Sequence, residues 1–184
     1  MSDEKITAVD PTFKYEIARI PGGESIKFCF QCGKCEATCP IRRFDDKYRP
    51  AQIIRAAILG LRESVLSSKM IWMCAVCFSC TERCPQGVKF TDIMRTIRNI
   101  AVREGYIDPF FQQLSNVIAE TGRIFPYTAF LDELRSDLGL SPMNTHNCQE
   151  MVRLLDRARR RAQSKRSPAA QARINESSQN KGGR

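Results

Sequence analysis

CFQCGKCEATCP, residues 29–40, and CAVCFSCTERCP, residues 74–85, decide how this chain is read. Both follow the spacing C-x2-C-x2-C-x3-C-P, and together they hold eight of the nine cysteines in 184 residues. Three cysteines spaced by two residues can wrap a tight loop so that their sulfurs converge. The fourth, three residues on, faces away as the chain leaves. This is the spacing of [4Fe–4S] sites, and in two-cluster proteins the fourth cysteine ligates the other cluster. One knot alone offers three ligands and an orphan. Two knots exchange their orphans and complete two sites. The expected sets are Cys29, Cys32, Cys35 and Cys84 for one cluster, and Cys74, Cys77, Cys80 and Cys39 for the other.

Zinc is the competing metal, because eight thiols could also make two all-cysteine tetrahedral sites. Zinc ribbons need neither a third cysteine at x2 nor a fourth followed by proline, and this chain meets the whole pattern twice. Pro40 and Pro85 fix φ and direct the chain out of each loop. Gly33 permits tight backbone approach in the first loop. Phe78 occupies the matching place in the second, so glycine reads there as a convenience. Phe28, Phe30, Phe44, Trp72 and Phe78 flank the knots and read as core packing that keeps water from the clusters. Arg42, Arg43, Arg83 and Lys89 read as cations that stabilise reduced clusters or simply solvate the surface. Cys148 reads as a small buried hydrophobe, His146 as a cap or surface residue, and Glu150 as surface. No GxGxxG, Walker loop or Ser/His/Asp signature is present, so no active site of its own is expected.

Composition narrows the class further. The N-terminal MSDEKITAVDPTFKYE has no apolar signal region, and the longest apolar run is broken by Arg55 and Arg62, so no membrane span is expected. Clustered cysteines in such a chain fit a cytoplasmic metal protein better than a disulfide scaffold. Residues 157–184 hold nine Lys or Arg against one acid, Glu176, and so carry +8 of the net +9. This end is polar and poor in large apolar residues, which predicts a largely disordered basic tail. No nucleic-acid recognition fold accompanies the charge, so nucleic acid is not an expected partner.

Helical periodicity fills the rest. After Pro50, apolar residues recur at Ile54, Ala57, Ile58, Leu61 and Val65. After the second knot they recur at Ile93, Met94, Ile97, Ile100 and Ala101, with Thr91 as N-cap and Gly105 as stop. Asp108-Pro109 opens a helix with a stripe at Phe110, Leu114, Val117 and Ile118 that ends at Gly122. TAFLDELRSDLGL and NCQEMVRLLDRARRR read as two more, separated by a turn at Ser141-Pro142. The fold class is mainly α: helices with two cysteine-knot loops and additional C-terminal helices. The expected division is an N-terminal extension (1–24), a dicluster core (25–107), C-terminal helices suited to docking (108–156) and the basic tail (157–184).

The helical insert between the knots sets this chain apart from small ferredoxins. CFQCGKCEATCP, RPAQIIRAAILGLRE, WMCAVCFSCTERCPQGV and DIMRTIRNIAVREG resemble, in order and spacing, the C subunit of heterodisulfide reductase, across roughly residues 25–125. The resemblance implies an α-helical ferredoxin fold and an electron-relay protein with two [4Fe–4S] clusters that works as part of a complex. Its implied partners are a flavin-bearing A-like subunit and a B-like subunit that performs disulfide chemistry. The alternatives are a free-standing dicluster ferredoxin, the iron–sulfur subunit of a quinone-linked dehydrogenase, or a zinc-stabilised interaction module.

Overall fold

A computed structural model of the chain describes residues 9–124, 128–143, 148–164 and 166–179. Regular structure among the described residues is helical, with no strand, as the periodicity predicts. The α helices are α1 (Phe13–Arg19), α2 (Lys34–Ala37), α3 (Pro40–Phe44), α4 (Pro50–Ile58), α5 (Arg62–Leu66), α6 (Ser79–Glu82), α7 (Phe90–Arg103), α8 (Pro109–Thr121), α9 (Ala129–Asp137), α10 (Cys148–Gln163) and α11 (Pro168–Gln179). Short 3₁₀ turns at Glu24–Phe28 and Lys69–Trp72 lead into the two knots. The chain forms two compact units, one ending at Tyr106 and one beginning at Ile107.

In the first unit α7 is the central element. Ile93, Met94, Ile97 and Ala101 are fully buried on it, and Ile54 and Ala57 of α4, Leu66 of α5 and Ile71 close over them. Each large aliphatic residue buried this way contributes about 1.5–3 kcal/mol. Thr91 does not cap α7. The helix starts one residue earlier, at Phe90, and Thr91 lies buried inside it. The single long helix expected after Pro50 is broken into α4 and α5 at Gly60, whose φ is +80°.

From α1 onward, the N-terminal segment contributes to this core. Phe13 and Ile17 of α1 are fully buried in it. Gly60 makes room for the attachment: a Cβ there would stand 2.2 Å from the Asp10 carbonyl oxygen. Instead, Asp10 N–H donates to Gly60 O at 2.8 Å. Arg62 completes the joint. Its guanidinium reaches Asp10 at 3.3 Å, Glu16 at 2.5 Å and Glu104, and lies 4.9 Å above the Phe13 ring. Burial alone would lower the Arg62 pKa, but the bonds from Glu16 and Glu104 and their charges outweigh it and raise it. Composition did not show this because Arg62 reads there only as a break in an apolar run.

In the second unit, Asp108 caps α8 by accepting from Phe110 N–H at 2.9 Å, and Gly122 ends it at φ +70°. Phe110 is exposed rather than packed. α10 lies against α8, and Arg159 donates to Ser115 Oγ and Asn116 Oδ1, both at 2.9 Å. The end of the chain departs from the disordered tail expected from its composition. α10 and α11 cover most of it, and Ala170 and Ile174, one turn apart, are buried. Alanine, arginine and glutamine are strong helix formers, so scarcity of large apolar residues did not prevent helix here. His146 and the Cys148 side chain lie outside the described residues, as do Lys165, Lys181 and Arg184.

Candidate metal centre

Each knot is a loop followed by one helical turn, α2 in the first and α6 in the second. Those turns pack against each other, which sets the knots side by side. Their backbones match residue for residue. Gln31 and Gly33 flank Cys32 with φ of +64° and +76°, and Val76 and Phe78 flank Cys77 with φ of +54° and +62°. Left-handed backbone on both sides of the middle cysteine curls the loop, and such curls form the anion-holding nests found at iron–sulfur sites. A β-branched valine at positive φ is rare enough to mark a functional constraint. The conformation at position 78 is therefore needed in both loops, and phenylalanine adopts it under strain.

All eight knot cysteines are free thiols. A largely apolar cavity with about 440 Å³ of empty space, partly open to solvent, is lined by Cys29, Cys32, Cys35 and, from the other knot, Cys84 and Cys80. Ala51, Ile54, Val88 and Phe90 form its apolar wall. Among the described residues, no three thiol, imidazole or carboxylate groups meet closely enough for a single ion. Cys39, at the exit of the first knot, is buried and shares its surroundings with Cys74 and Cys80 of the second, all three influencing the Tyr48 hydroxyl.

The sulfurs have polar company. Gln31 Nε2 donates to Cys29 Sγ at 3.2 Å, and Val88 N–H to Cys84 Sγ at 3.3 Å. Around the second knot, the Ser79 hydroxyl lies 3.6 Å from Cys77 Sγ and the Thr91 hydroxyl 3.7 Å from Cys80 Sγ. Backbone and side-chain bonds from Ser79 lower the Cys77 pKa. Burial, reinforced by Cys29 and Cys80 nearby, pushes the Cys35 thiol up to about 12. Metal cations held there would take the place of the protons that the buried thiols otherwise keep.

Two positioning residues carry no local sequence signal. Arg98 of α7 donates from Nε to Ile71 O at 2.7 Å and from Nη2 to Cys74 O at 2.8 Å, and its guanidinium lies 5.8 Å from the Trp72 ring centre. It pins the chain where the second knot begins. Thr91, read as a cap, reaches Cys80 from within α7. The aromatic residues do not shield the site as their positions in the chain suggest. Phe28, Phe30, Phe44 and Phe78 are exposed, Phe44 at 91%, and of these only Phe30 lines the cavity, whose apolar wall otherwise includes Ala51 and Ile54 of α4, Val88, and Phe90 of α7. Arg42 pairs with Asp46 at 2.5 Å, while Arg43, Arg83 and Lys89 lie on the surface.

Known proteins agree with this chemistry. The profile of the 4Fe-4S dicluster domain family matches residues 25–88. The C subunit of the H(2):CoB-CoM heterodisulfide,ferredoxin reductase of Methanothermobacter thermautotrophicus is 38% identical over 146 residues, covering 78% of each chain. The iron-sulfur C subunit of the CoB–CoM heterodisulfide reductase of Methanopyrus kandleri is 35% identical over 152 residues, 82% of this chain and 76% of the relative. The C subunit of the ferredoxin:CoB-CoM heterodisulfide reductase of Methanosarcina mazei is 35% identical over 121 residues, 66% of this chain and 74% of the relative. With this likeness joined to the paired cysteine loops, the chain belongs to the family of C subunits of CoB–CoM heterodisulfide reductases, as an iron–sulfur electron-transfer component of a larger complex.

Proposed function

We propose that the chain carries two [4Fe–4S] clusters and relays electrons between a flavin-bearing A-like subunit and a B-like subunit that performs the disulfide chemistry. The observation that carries this is the cavity in which Cys29, Cys32 and Cys35 stand with Cys84 of the other knot. It supports the exchanged ligand sets, with Cys74, Cys77, Cys80 and Cys39 holding the second cluster. When bound, such clusters accept and release single electrons. Exchanged ligands keep the two sites close together, and Cys80 on the wall of the first cavity lies on that shared boundary.

The chain's own residues bind, orient and shield. Gln31 and Val88 donate to ligand sulfurs, the Ser79 and Thr91 hydroxyls lie beside two others, and the apolar wall limits water. Cys32 and Cys77, at the middle of each curl, are exposed and offer edges through which electrons enter and leave. The second unit exposes Phe130, Leu134 and Leu138 along one face of α9, which suits it to docking a neighbouring subunit. No helix of the described residues is long and apolar enough to cross a membrane. A reducing compartment such as the cytoplasm suits eight free thiols.

The test is iron and acid-labile sulfide per chain in anaerobically purified protein, with EPR of the reduced sample. About eight irons and eight sulfides, with a signal broadened by two interacting spins, are expected. Zinc without sulfide would overturn the proposal.

A further inference from the structure

Arg98 stands in DIMRTIRNIAVREG on α7, beside the buried stripe of Met94, Ile97 and Ala101. Packing of that stripe leaves its guanidinium half-buried at the entrance to the second knot. All its contacts there are neutral: Ile71 O at 2.7 Å, Cys74 O at 2.8 Å and the Trp72 ring centre at 5.8 Å. Among the described residues, no carboxylate lies within ion-pair distance of it. The half-buried Arg62, by contrast, is paired with Asp10, Glu16 and Glu104. A guanidinium keeps its charge at any ordinary pH. Taking that charge partly out of water without a counter-charge is unfavourable. Carbonyl dipoles and a ring face offset some of this cost.

We infer that the counter-charge of Arg98 is an iron–sulfur cluster on Cys39, Cys74, Cys77 and Cys80, and that Arg98 is a positioning residue whose fixed charge raises the reduction potential there. A cysteine's sulfur lies only a few bonds from its own carbonyl oxygen, so the bond to Cys74 O holds the guanidinium close to a ligand. With four thiolates a [4Fe–4S] site is anionic, and reduction adds one electron to it. A fixed cation stabilises the reduced form more than the oxidised form, and partial burial limits screening by water and salt. Lys34, which lines the first cavity, is exposed and therefore screened. The inference rests on the proposed function, because Cys74 must ligate a [4Fe–4S] cluster.

The test is a potentiometric titration followed by EPR on the full chain, comparing the unmodified protein with Arg98→Gln and Arg98→Lys, after counting iron and sulfide in each. Glutamine still offers an N–H to a carbonyl but has no charge. Lysine keeps the charge and loses the planar fork. Cys77→Ser, at the middle of the second knot, identifies the signal of that knot's cluster. The expected result is an unchanged iron count and a lower second-knot midpoint in Arg98→Gln. The fall should be at least about 30 mV, a roughly threefold shift at about 59 mV per tenfold for one electron. Arg98→Lys should recover most of it. No fall in Arg98→Gln, an equal fall in both variants, or a shift confined to the first-knot cluster would overturn the inference. Should Arg98→Gln fail to hold clusters, Arg98→Lys still decides, because its midpoint should stay near that of the unmodified protein. A fall there, or loss of clusters from both variants, would leave Arg98 a structural role only and overturn the inference. Absence of iron and sulfide from the unmodified protein would instead sink the proposed function, so the two failures are separable.

Discussion

A Cβ at Gly33 would meet nothing within 4 Å, so replacement there is penalised only through its φ of +76°. Phe78, its counterpart in the second curl, already carries that penalty, at φ +62°. The pair thus separates what backbone and side chain each contribute to a knot. Left-handed backbone costs a non-glycine residue about 1–2 kcal/mol. Gly33→Ala should therefore destabilise the cluster-loaded protein by about 1 kcal/mol. Phe78→Gly should stabilise it by a similar amount, since the lost ring is partly exposed. Thermal melts of the anaerobic, loaded variants read both. A fall in melting temperature for Phe78→Gly would mean that the ring packs usefully in the loaded state. The fourth cysteines give a sharper test. Under ligand exchange, Cys39→Ser should alter the EPR signal of the cluster held by the second knot, and Cys84→Ser that of the first. If each serine disturbed only the cluster of its own knot, the exchange would be wrong.

Among the helices, the joint between α1 and the α4–α5 break shows what the sequence did and did not disclose. The knots and helical stripes are legible because their signals are local: cysteine spacing, period, cap and stop. The attachment of α1 is not, because it depends on residues far apart in the chain. Gly60 answers to Asp10, and Arg62 to Asp10, Glu16 and Glu104. The aromatics misled for the same reason. Proximity to the knots in sequence suggested shielding, yet Phe28, Phe44 and Phe78 stay off the cavity wall, and Ala51, Ile54, Val88 and Phe90 line it beside Phe30. Arg98 acts on Cys74 from 24 residues away, and no spacing rule marks it. The α1 joint can be tested directly. Gly60→Ala must move the Asp10 backbone, because its Cβ would stand 2.2 Å from Asp10 O, and it adds left-handed strain. A loss above about 2 kcal/mol is expected, combining overpacking with φ strain. Limited proteolysis should then cut near α1 well before the knots. Equal protection of that segment in the variant and the unmodified protein would show that α1 docks without the Gly60 contact.

Across the chain, the two units divide the labour unevenly. All the knot cysteines and the buried cluster of large apolar side chains from Phe13 to Ala101 belong to the unit ending at Tyr106. The second unit buries Ala170 and Ile174 but leaves Phe110, Phe130, Leu134, Leu138 and Leu154 exposed. A nine-residue helix such as α9 has little stability by itself in water, so its apolar stripe gains most from a partner surface. If cluster binding and docking are separable, residues 1–106 produced alone should fold and hold about eight irons per chain with the EPR of the full chain. The same fragment should fail to co-purify with the A-like and B-like subunits. In the full chain, Leu134→Glu with Leu138→Glu should reproduce that failure while leaving iron content unchanged, because neither side chain is buried in the free chain. The expected loss of assembly is at least tenfold, since each charge desolvated in an apolar contact costs more than about 1.4 kcal/mol. Analytical size exclusion of the reconstituted complex, with iron counted in the same fractions, reads both quantities. Assembly of the double variant at unmodified strength would move the docking role from α9 to the exposed aromatics beside the knots, and a fragment that lost its iron would show that the second unit is needed for the clusters themselves.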